Sequence, residues 1–208
     1  MIVSLNEVET TILKAARGAG MEWGLAEEAA QAAIWLVRCG LPWEAPALGV
    51  LEAAAWQDLP VLEGPHLRPR LAGGRLCPIL CGAYLSDLGG GLALMEQVAF
   101  PILLLPFATR CACALELAWG DVSIGLIAGR ASIRPKGARG LDAPQAALVT
   151  LRPVESELPE PFIGPARPRG VTVDARGWAK LQALEARTYV AASSRSRRSG
   201  AGPGSVDD

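Results

Sequence analysis

Residues 14 to 29 read KAARGAGMEWGLAEEA, and glycines at positions 18, 20 and 24 interrupt a run of alanine and charged residues. Glycine is frequent at helix ends because it adopts positive φ angles without a steric penalty. Alanine, leucine and glutamate on either side favour helix. The stretch therefore predicts two helices joined by a tight connection, with Gly18 and Gly20 ending the first helix through positive φ. We call residues 14–24 the hinge.

The helices around the hinge have recognisable ends. Ser4-Leu5-Asn6-Glu7 has the form of a capping box, which predicts a helix start at Ser4. A second helix is predicted from about Gly24 to Cys39, with Gly40 as its stop. A third helix is predicted to open near Pro46, a residue favoured at the first helical position, and to end by Asp58.

A β-like pattern follows the helices. Residues 57–75, which include the only histidine, His66, are predicted to be a long surface connection. Apolar runs bounded by turn residues then predict five strands: 75–85, 98–107, 115–119, 122–128 and 146–153. Residues 106–114 are equally consistent with a helical turn, and Gly120-Asp121 predicts a hairpin. After a proline-rich loop over 155–170, Asp174 is predicted to cap a last helix over roughly 175–188.

These elements predict the α+β class. The expected order is an N-terminal helical hairpin plus a third helix, a largely antiparallel sheet, a C-terminal helix and a Gly/Arg-rich tail. We predict one domain over residues 1–188, with a helical part at 1–58 and a sheet part at 75–153. Residues 189–208 form the tail.

Composition limits the functional classes. The formal net charge is −1, so no global charge favours nucleic acid or an acidic membrane surface. The longest apolar run, residues 98–108, is too short to span roughly 30 Å of hydrocarbon as a helix. The N-terminus does not have the pattern of a signal peptide. The five cysteines are interpreted as reduced thiols, so we expect a cytoplasmic protein. From the net charge and the short apolar runs, we expect neither nucleic-acid nor membrane partners.

Both ends of the chain resemble a bacterial family of unknown function. The opening carries Ser4-Leu-Asn-Glu7, Lys14-Ala-Ala-Arg17-Gly-Ala-Gly20 and Trp23-Gly-Leu-Ala-Glu-Glu28. The close carries Arg187-Thr-Tyr-Val190, Ser196-Arg197 and Gly200-Ala-Gly202. Departures stand at Ala191, Ser194 and Pro203, where the family pattern has Pro, an acid and Ala. The resemblance supplies positions and implies no activity.

The hinge is the strongest candidate binding site. N–H groups at the start of the second helix lack intrahelical partners and carry positive partial charge, so they favour a carboxylate or phosphate. Lys14 and Arg17, three residues apart, would add charged donors. The alternative is a helical packing corner whose glycines serve close contact and whose cations lie near a helix C-terminus. No strand precedes these glycines, so this is not a P-loop or dinucleotide motif.

The tail is the second candidate, since its hydroxyls and guanidinium groups could close over the hinge. A solvated, unstructured tail is the alternative. If the two ends meet, the predicted ligand-binding residues are Lys14, Arg17, Gly18, Gly20, Trp23, Arg187, Tyr189, Ser193, Ser196, Arg197, Gly200 and Gly202. The ligand would be a small anionic metabolite bound where the hinge meets the sheet and the tail.

Catalysis is left open. Glu9 and Glu27 are the candidate proton-transfer groups, and either would need a pKa raised by burial. The sequence leaves the cofactor unknown. No metal site is predicted, because the CxxxC pair at Cys77 and Cys81 and the CxC pair at Cys111 and Cys113 have apolar neighbours, and a redox or metal role would require the two pairs to meet in space. A second hypothesis is a non-catalytic subunit that packs on an enzyme partner or on a second copy of the chain.

Overall fold

The computed structural model describes residues 1–133, 140–155, 158 and 160–189. The α-helices in these ranges are α1 (Leu5–Gly18), α2 (Trp23–Arg38), α3 (Glu44–Ala53), α4 (Pro78–Leu88), α5 (Leu105–Ala108) and α6 (Ala175–Glu185). The strands are β1 (Ile2–Val3), β2 (Val61–Glu63), β3 (His66–Arg68), β4 (Ala93–Ala99), β5 (Leu115–Trp119), β6 (Val122–Ile127), β7 (Arg130–Ile133), β8 (Gln145–Pro153) and β9 (Val171–Thr172). Short 3-10 turns occupy Ala55–Gln57, Pro101–Leu104 and Ala186–Thr188.

The main sheet has the strand order β2-β3-β4-β8-β5-β6-β7, and every pair is antiparallel except β3 with β4. Helices precede and flank this sheet, so the predicted α+β class is confirmed. The predicted hairpin at Gly120-Asp121 joins β5 to β6, with Trp119 paired to Val122.

Helix α1 folds as its sequence predicts. The Ser4 N–H donates to Glu7 Oε2 at 2.7 Å, and the Glu7 N–H donates to Ser4 Oγ at 3.1 Å, which completes the capping box. Its buried face carries Val8 and Ile12. At the other end of the chain, the Asp174 carboxylate caps α6 by accepting the N–H groups of Arg176 and Gly177.

Two helices, α4 and α5, contact both α2 and the main sheet. Helix α2 contacts α1 on one side and α4 and α5 on the other, and these last two helices contact strands β4 and β5. Helix α6 packs along α1, and the small β1–β9 sheet joins the chain segments that lead into them. The α1–α6 pair is therefore an outer layer of the molecule.

The interpretation of residues 75–85 as a strand was wrong. Residues 78–88 form α4, which begins at Pro78 and ends at Gly89 with a φ of 67°. The helix is apolar on several sides because it is enclosed by α2, α5 and β4. A short, uniformly apolar run has no periodicity that separates a buried helix from a buried strand.

Two neighbouring predictions also need correction. Residues 57–75 are not a plain connection, because β2 and β3 form a hairpin there, and strands of three residues are too short to show alternation. The run at 98–107 is a strand only to Ala99. Phe100 has a φ of 43°, and Pro101 then begins a 3-10 turn that continues into α5, so the helical alternative for the start of 106–114 is the correct one.

The helix ends differ from the predicted ones at two positions, the start of α3 and Gly18. Helix α3 begins at Glu44, so Pro46 is its third residue. Gly20 has the predicted positive φ, 95°, and Gly40 likewise has a φ of 67°. Gly18 does not have a positive φ, because it is the last residue of α1. Its role is steric, as described below.

Candidate functional site

A cleft of about 670 Å³ lies at the end of α1, beside the hinge and the end of α6. We call it the hinge cleft. It is lined by Leu13, Lys14, Arg17, Gly18, Ala19, Gly20, Trp23, Arg187 and Thr188. The structure thus brings the predicted hinge residues next to the residues that follow α6.

Gly18 allows the two helix ends to approach closely. A Cβ atom at Gly18 would lie 1.9 Å from the carbonyl oxygen of Leu184 and 3.4 Å from Cβ of Arg187. The first distance is far below van der Waals contact, so only glycine fits between α1 and α6 at this point. The glycine that the sequence indicated as a helix stop instead sets the distance between two walls of the cleft.

Lys14 and Tyr189 converge on a buried carboxylate. Lys14 Nζ donates to Glu185 Oε1 at 3.2 Å, and the Tyr189 hydroxyl donates to the same oxygen at 2.6 Å. The ammonium also lies 5.4 Å from the centroid of the Tyr189 ring. The Glu185 side chain is only 11% exposed, whereas Lys14 is 42% exposed and reaches the cleft.

The charge state of Glu185 follows from these partners. Burial by itself raises the pKa of the carboxyl group, but hydrogen bonds from Tyr189 and Lys14, the Lys14 charge and a hydrogen bond with Thr11 outweigh it. The net pKa is lowered from the ordinary 4.5, so Glu185 is ionised at neutral pH. The hydrogen bond with Glu185 in turn raises the pKa of Lys14, which stays charged.

Arg17 and Trp23 form the opposite side of the hinge cleft. The Arg17 guanidinium donates through Nη1 to the carbonyl oxygen of Met21 and lies 5.5 Å from the centroid of the Trp23 ring. The Trp23 indole N–H donates to Glu27 Oε1 at 2.8 Å. Two contacts therefore hold an indole that is 58% exposed.

Arg187 contributes the third cation of the cleft. It lies in the 3-10 turn after α6 and is exposed. Within the described part of the chain its guanidinium has no ion-pair partner. Of the three cations, Lys14 therefore has an ion-pair partner in Glu185, whereas no described carboxylate forms an ion pair with Arg17 or Arg187.

The two candidate catalytic carboxylates line a neighbouring cleft between α1 and α2. Glu9 is half-buried and accepts a hydrogen bond from Gln31 Nε2 at 3.0 Å. Glu27 is exposed, lines the same second cleft and touches the hinge cleft only through its bond to Trp23. Leu13 is a wall of both clefts. Neither carboxylate is enclosed in apolar surroundings.

Several predicted residues fall outside the described ranges. These are Ser193, Ser196, Arg197, Gly200 and Gly202. Tyr189, the last described residue, is 59% exposed and stands at the edge of the cleft, in contact with Lys14. The expectation that the sheet contributes to the site was wrong, since every lining residue comes from α1, the hinge, α2 or the turn after α6.

The remaining candidate groups lie elsewhere. Cys77, Cys81 and Cys111 are buried free thiols, and burial raises the pKa of Cys77 to about 11. His66 is exposed at the start of β3.

Across the described ranges, no group of three or more His, Cys, Asp or Glu side chains is arranged to hold a metal ion. No helix in the described part of the chain is long and apolar enough to cross a membrane.

Glu185 is the residue that sequence reasoning missed. It follows Trp178, Leu181 and Leu184 at helical spacing, so a carboxylate lies within the apolar stripe of α6. Such a residue needs partners when it is buried. The partners are Lys14 and Thr11, more than 170 residues earlier in the chain, and no local pattern connects them.

Comparison with known proteins gives one family. A model for a family described as a protein of unknown function (DUF3726) matches residues 3–47, which contain α1, the hinge and α2. The description names no activity. No curated protein matches the sequence of this chain.

Among solved structures, a malate dehydrogenase from Entamoeba histolytica resembles the chain with a TM-score of 0.41 and 10% sequence identity. The match covers 79% of this chain and 49% of that one, so the chain spans about half the length of the enzyme. A likeness this distant carries no argument about activity.

Proposed function

We propose that the hinge cleft binds a small anionic metabolite that carries a carboxylate or a phosphate group. The observation that supports this best is the convergence of Lys14, Arg17 and Arg187 on one cleft, where the buried carboxylate of Glu185 is already bonded to Lys14. An uncompensated pair of guanidinium groups favours an anion, and arginine binds carboxylate and phosphate through paired N–H groups.

The remaining donors point to how an anion would be held. Arg17 uses Nη1 for the carbonyl oxygen of Met21, and its other N–H groups remain for a ligand. Lys14 has further N–H donors beyond the one bonded to Glu185. The first N–H groups of α2, from Trp23 onward, lack intrahelical acceptors and add positive partial charge at the same end of the cleft.

The proposal also includes the compartment, the domain organisation and the candidate proton-transfer group. We infer a cytoplasmic protein whose residues 1–188 act as one domain, followed by the tail at 189–208. Of the two candidate proton-transfer groups, Glu27 has a side-chain hydrogen bond to a residue of the hinge cleft, Trp23, whereas Glu9 is bonded to Gln31, which does not line that cleft. A reaction at this site would therefore depend on Glu27 rather than on Glu9.

The test is ligand-induced thermal stabilisation. Inorganic phosphate or succinate should raise the melting temperature of the full chain above that in sodium chloride of equal ionic strength, because a ligand that binds only the folded state stabilises it. Arg187→Ala should abolish the shift. Arg176→Ala removes the same charge from the opposite end of α6 and should leave the shift intact. Equal shifts in both variants would refute the binding site.

The accessory-subunit alternative has less support. The outer face of the sheet carries an exposed Leu148 on the central strand β8, but it also carries Glu96, Glu116 and Arg152. The Arg152 guanidinium is bonded to the Glu116 carboxylate across this face at 2.7 Å. A face with charged pairs between its apolar residues does not resemble the apolar core of an obligate interface.

A further inference from the structure

Trp23 is the one large aromatic side chain that both lines the hinge cleft and is more than half exposed, at 58%, among the described lining residues. Tryptophan is highly buried on average in folded proteins, and it is enriched at recognition surfaces because its apolar ring carries a polar N–H.

The indole is held in a fixed orientation. Its N–H donates to Glu27 at 2.8 Å, one helical turn further along α2, and the Arg17 guanidinium lies over the ring at 5.5 Å. A guanidinium covers at most one face of an indole, and Trp23 remains 58% exposed beside Arg17. A ring held at its edge and on one face loses little conformational freedom when a ligand contacts the second face.

We propose that the anion recognised by the hinge cleft has a flat aromatic body that stacks on Trp23 while the cations hold its acidic group. This inference rests on the proposed function, since it specifies which anions the same site prefers. The volume of about 670 Å³ accommodates a ring in addition to an anionic group. The apolar wall at Leu13 and Ala19 suits the body of such a ligand rather than a free inorganic ion.

The charges explain why the ring and the acid would be recognised together. Arg17 lies over the Trp23 ring and lines the same cleft, so a group that would hold the acid and the ring that would stack on the body of the ligand border one cavity. Arg187, on the other side of the cleft, is the second partner for that acid. A saturated ring of the same size presents no flat face to the indole and loses the stacking contribution.

The experiment compares two probes that differ only in aromaticity. Benzoate and cyclohexanecarboxylate carry the same charge on six-membered rings, and their affinities for the full chain can be measured by isothermal titration calorimetry. Benzoate should bind about threefold to tenfold more tightly, the size expected for one aromatic pair. Trp23→Leu should remove that preference, and Trp23→Phe, which keeps an aromatic face, should retain most of it.

The outcomes separate the two proposals. Equal affinities for benzoate and cyclohexanecarboxylate in the unmodified chain would overturn the stacking inference and leave the anion site standing. A preference that survives in Trp23→Leu would also overturn it, because another residue would then supply the stacking. If neither probe binds and inorganic phosphate does not bind either, the anion site itself is refuted. Should Trp23→Leu fail to fold, Trp23→Phe and the comparison in the unmodified chain still decide the question.

Discussion

Two carboxylates lie against opposite ends of α6, and their pKa values shift in opposite directions. At the C-terminal end, the pKa of Glu185 is lowered although the group is buried. At the N-terminal end, burial raises the pKa of Glu44, and the hydrogen bond from the Asp174 N–H to Oε2 at 2.9 Å only partly offsets it.

The difference lies in the number of partners. Glu185 bonds to Lys14, Tyr189 and Thr11. Glu44 Oε1 is buried and has no hydrogen-bond partner among the described residues. Burial disfavours an ionised carboxylate unless hydrogen bonds and an opposite charge replace water. The Glu185 carboxylate, at the end of α6 that borders the hinge cleft, therefore has the partners that replace water, whereas one oxygen of Glu44 at the other end has none among the described residues.

The largest expected effect comes from Gly18, the glycine of α1 that packs against the end of α6. Gly18→Ala places a Cβ atom 1.9 Å from the Leu184 carbonyl oxygen, so α1 and α6 must separate. We expect a loss of about 1–3 kcal/mol in the free energy of unfolding, the usual cost of overpacking. Chemical denaturation measures it.

Two glycines serve as controls for that change. A Cβ atom at Gly24 meets no atom within 4 Å, so Gly24→Ala should be neutral or slightly stabilising. At the other end of α6, a Cβ atom at Gly177 would lie 2.8 Å from Glu44 Oε1, which can move with its side chain, so Gly177→Ala should cost less than Gly18→Ala. A Gly18→Ala variant as stable as Gly24→Ala would contradict the close approach of the two helices.

Glu185→Gln should have the next largest effect. It removes the charge that Lys14 and Tyr189 bind, and we expect a loss of about 1 kcal/mol at pH 7, the difference between a hydrogen bond to a charged group and one to a neutral group. Because the folded-state pKa is lowered, the contribution of Glu185 is present above 4.5 and is lost as the pH falls through the folded value. The unmodified chain should therefore lose its advantage over Glu185→Gln in acid, as measured by urea unfolding at several pH values.

Tyr189→Phe should have a smaller effect in the same direction. It removes one hydrogen bond to Glu185 and keeps the ring near Lys14. Since the hydrogen bond is among the groups that lower the pKa of Glu185, the acid-dependent loss of stability should begin at a higher pH in this variant. An unchanged acid profile would mean that Tyr189 does not contribute to the charge state of Glu185.

Glu44→Gln should have the smallest effect and the opposite pH dependence. For a carboxyl group with a raised folded-state pKa, the contribution is present below 4.5 and is lost as the pH rises through the folded value. At pH 7 the substitution should leave stability unchanged or increase it, within about 1 kcal/mol, because a neutral amide costs less to bury than a charge. A loss as large as that of Glu185→Gln would show that Glu44 has partners equivalent to those of Glu185.

The candidate site was predicted in part. Lys14, Arg17 and Trp23 stand within ten residues of each other, so their neighbourhood follows from one helical connection. Their position beside Arg187 and Tyr189 does not, because it depends on α6 returning along α1. Whether these residues bind a ligand stays a prediction.

The sequence alone determined the features that depend on neighbouring residues. The capping box at Ser4, the cap at Asp174, the positive φ of Gly20 and the hairpin between β5 and β6 each involve groups a few residues apart. Local sterics and local hydrogen bonds decide such features, and a sequence pattern records them directly.

Only the tertiary structure decided which elements are enclosed and which groups meet. The sequence of α4 did not distinguish a helix from a strand. Other elements enclose this helix on several sides, so it is apolar throughout and shows no helical periodicity. Gly18 acquires its steric role from Leu184, and Glu185 owes part of its lowered pKa to Lys14, a residue 171 positions away. The pKa of a buried carboxylate depends on the partners that replace water, and chain folding alone brings those partners to it.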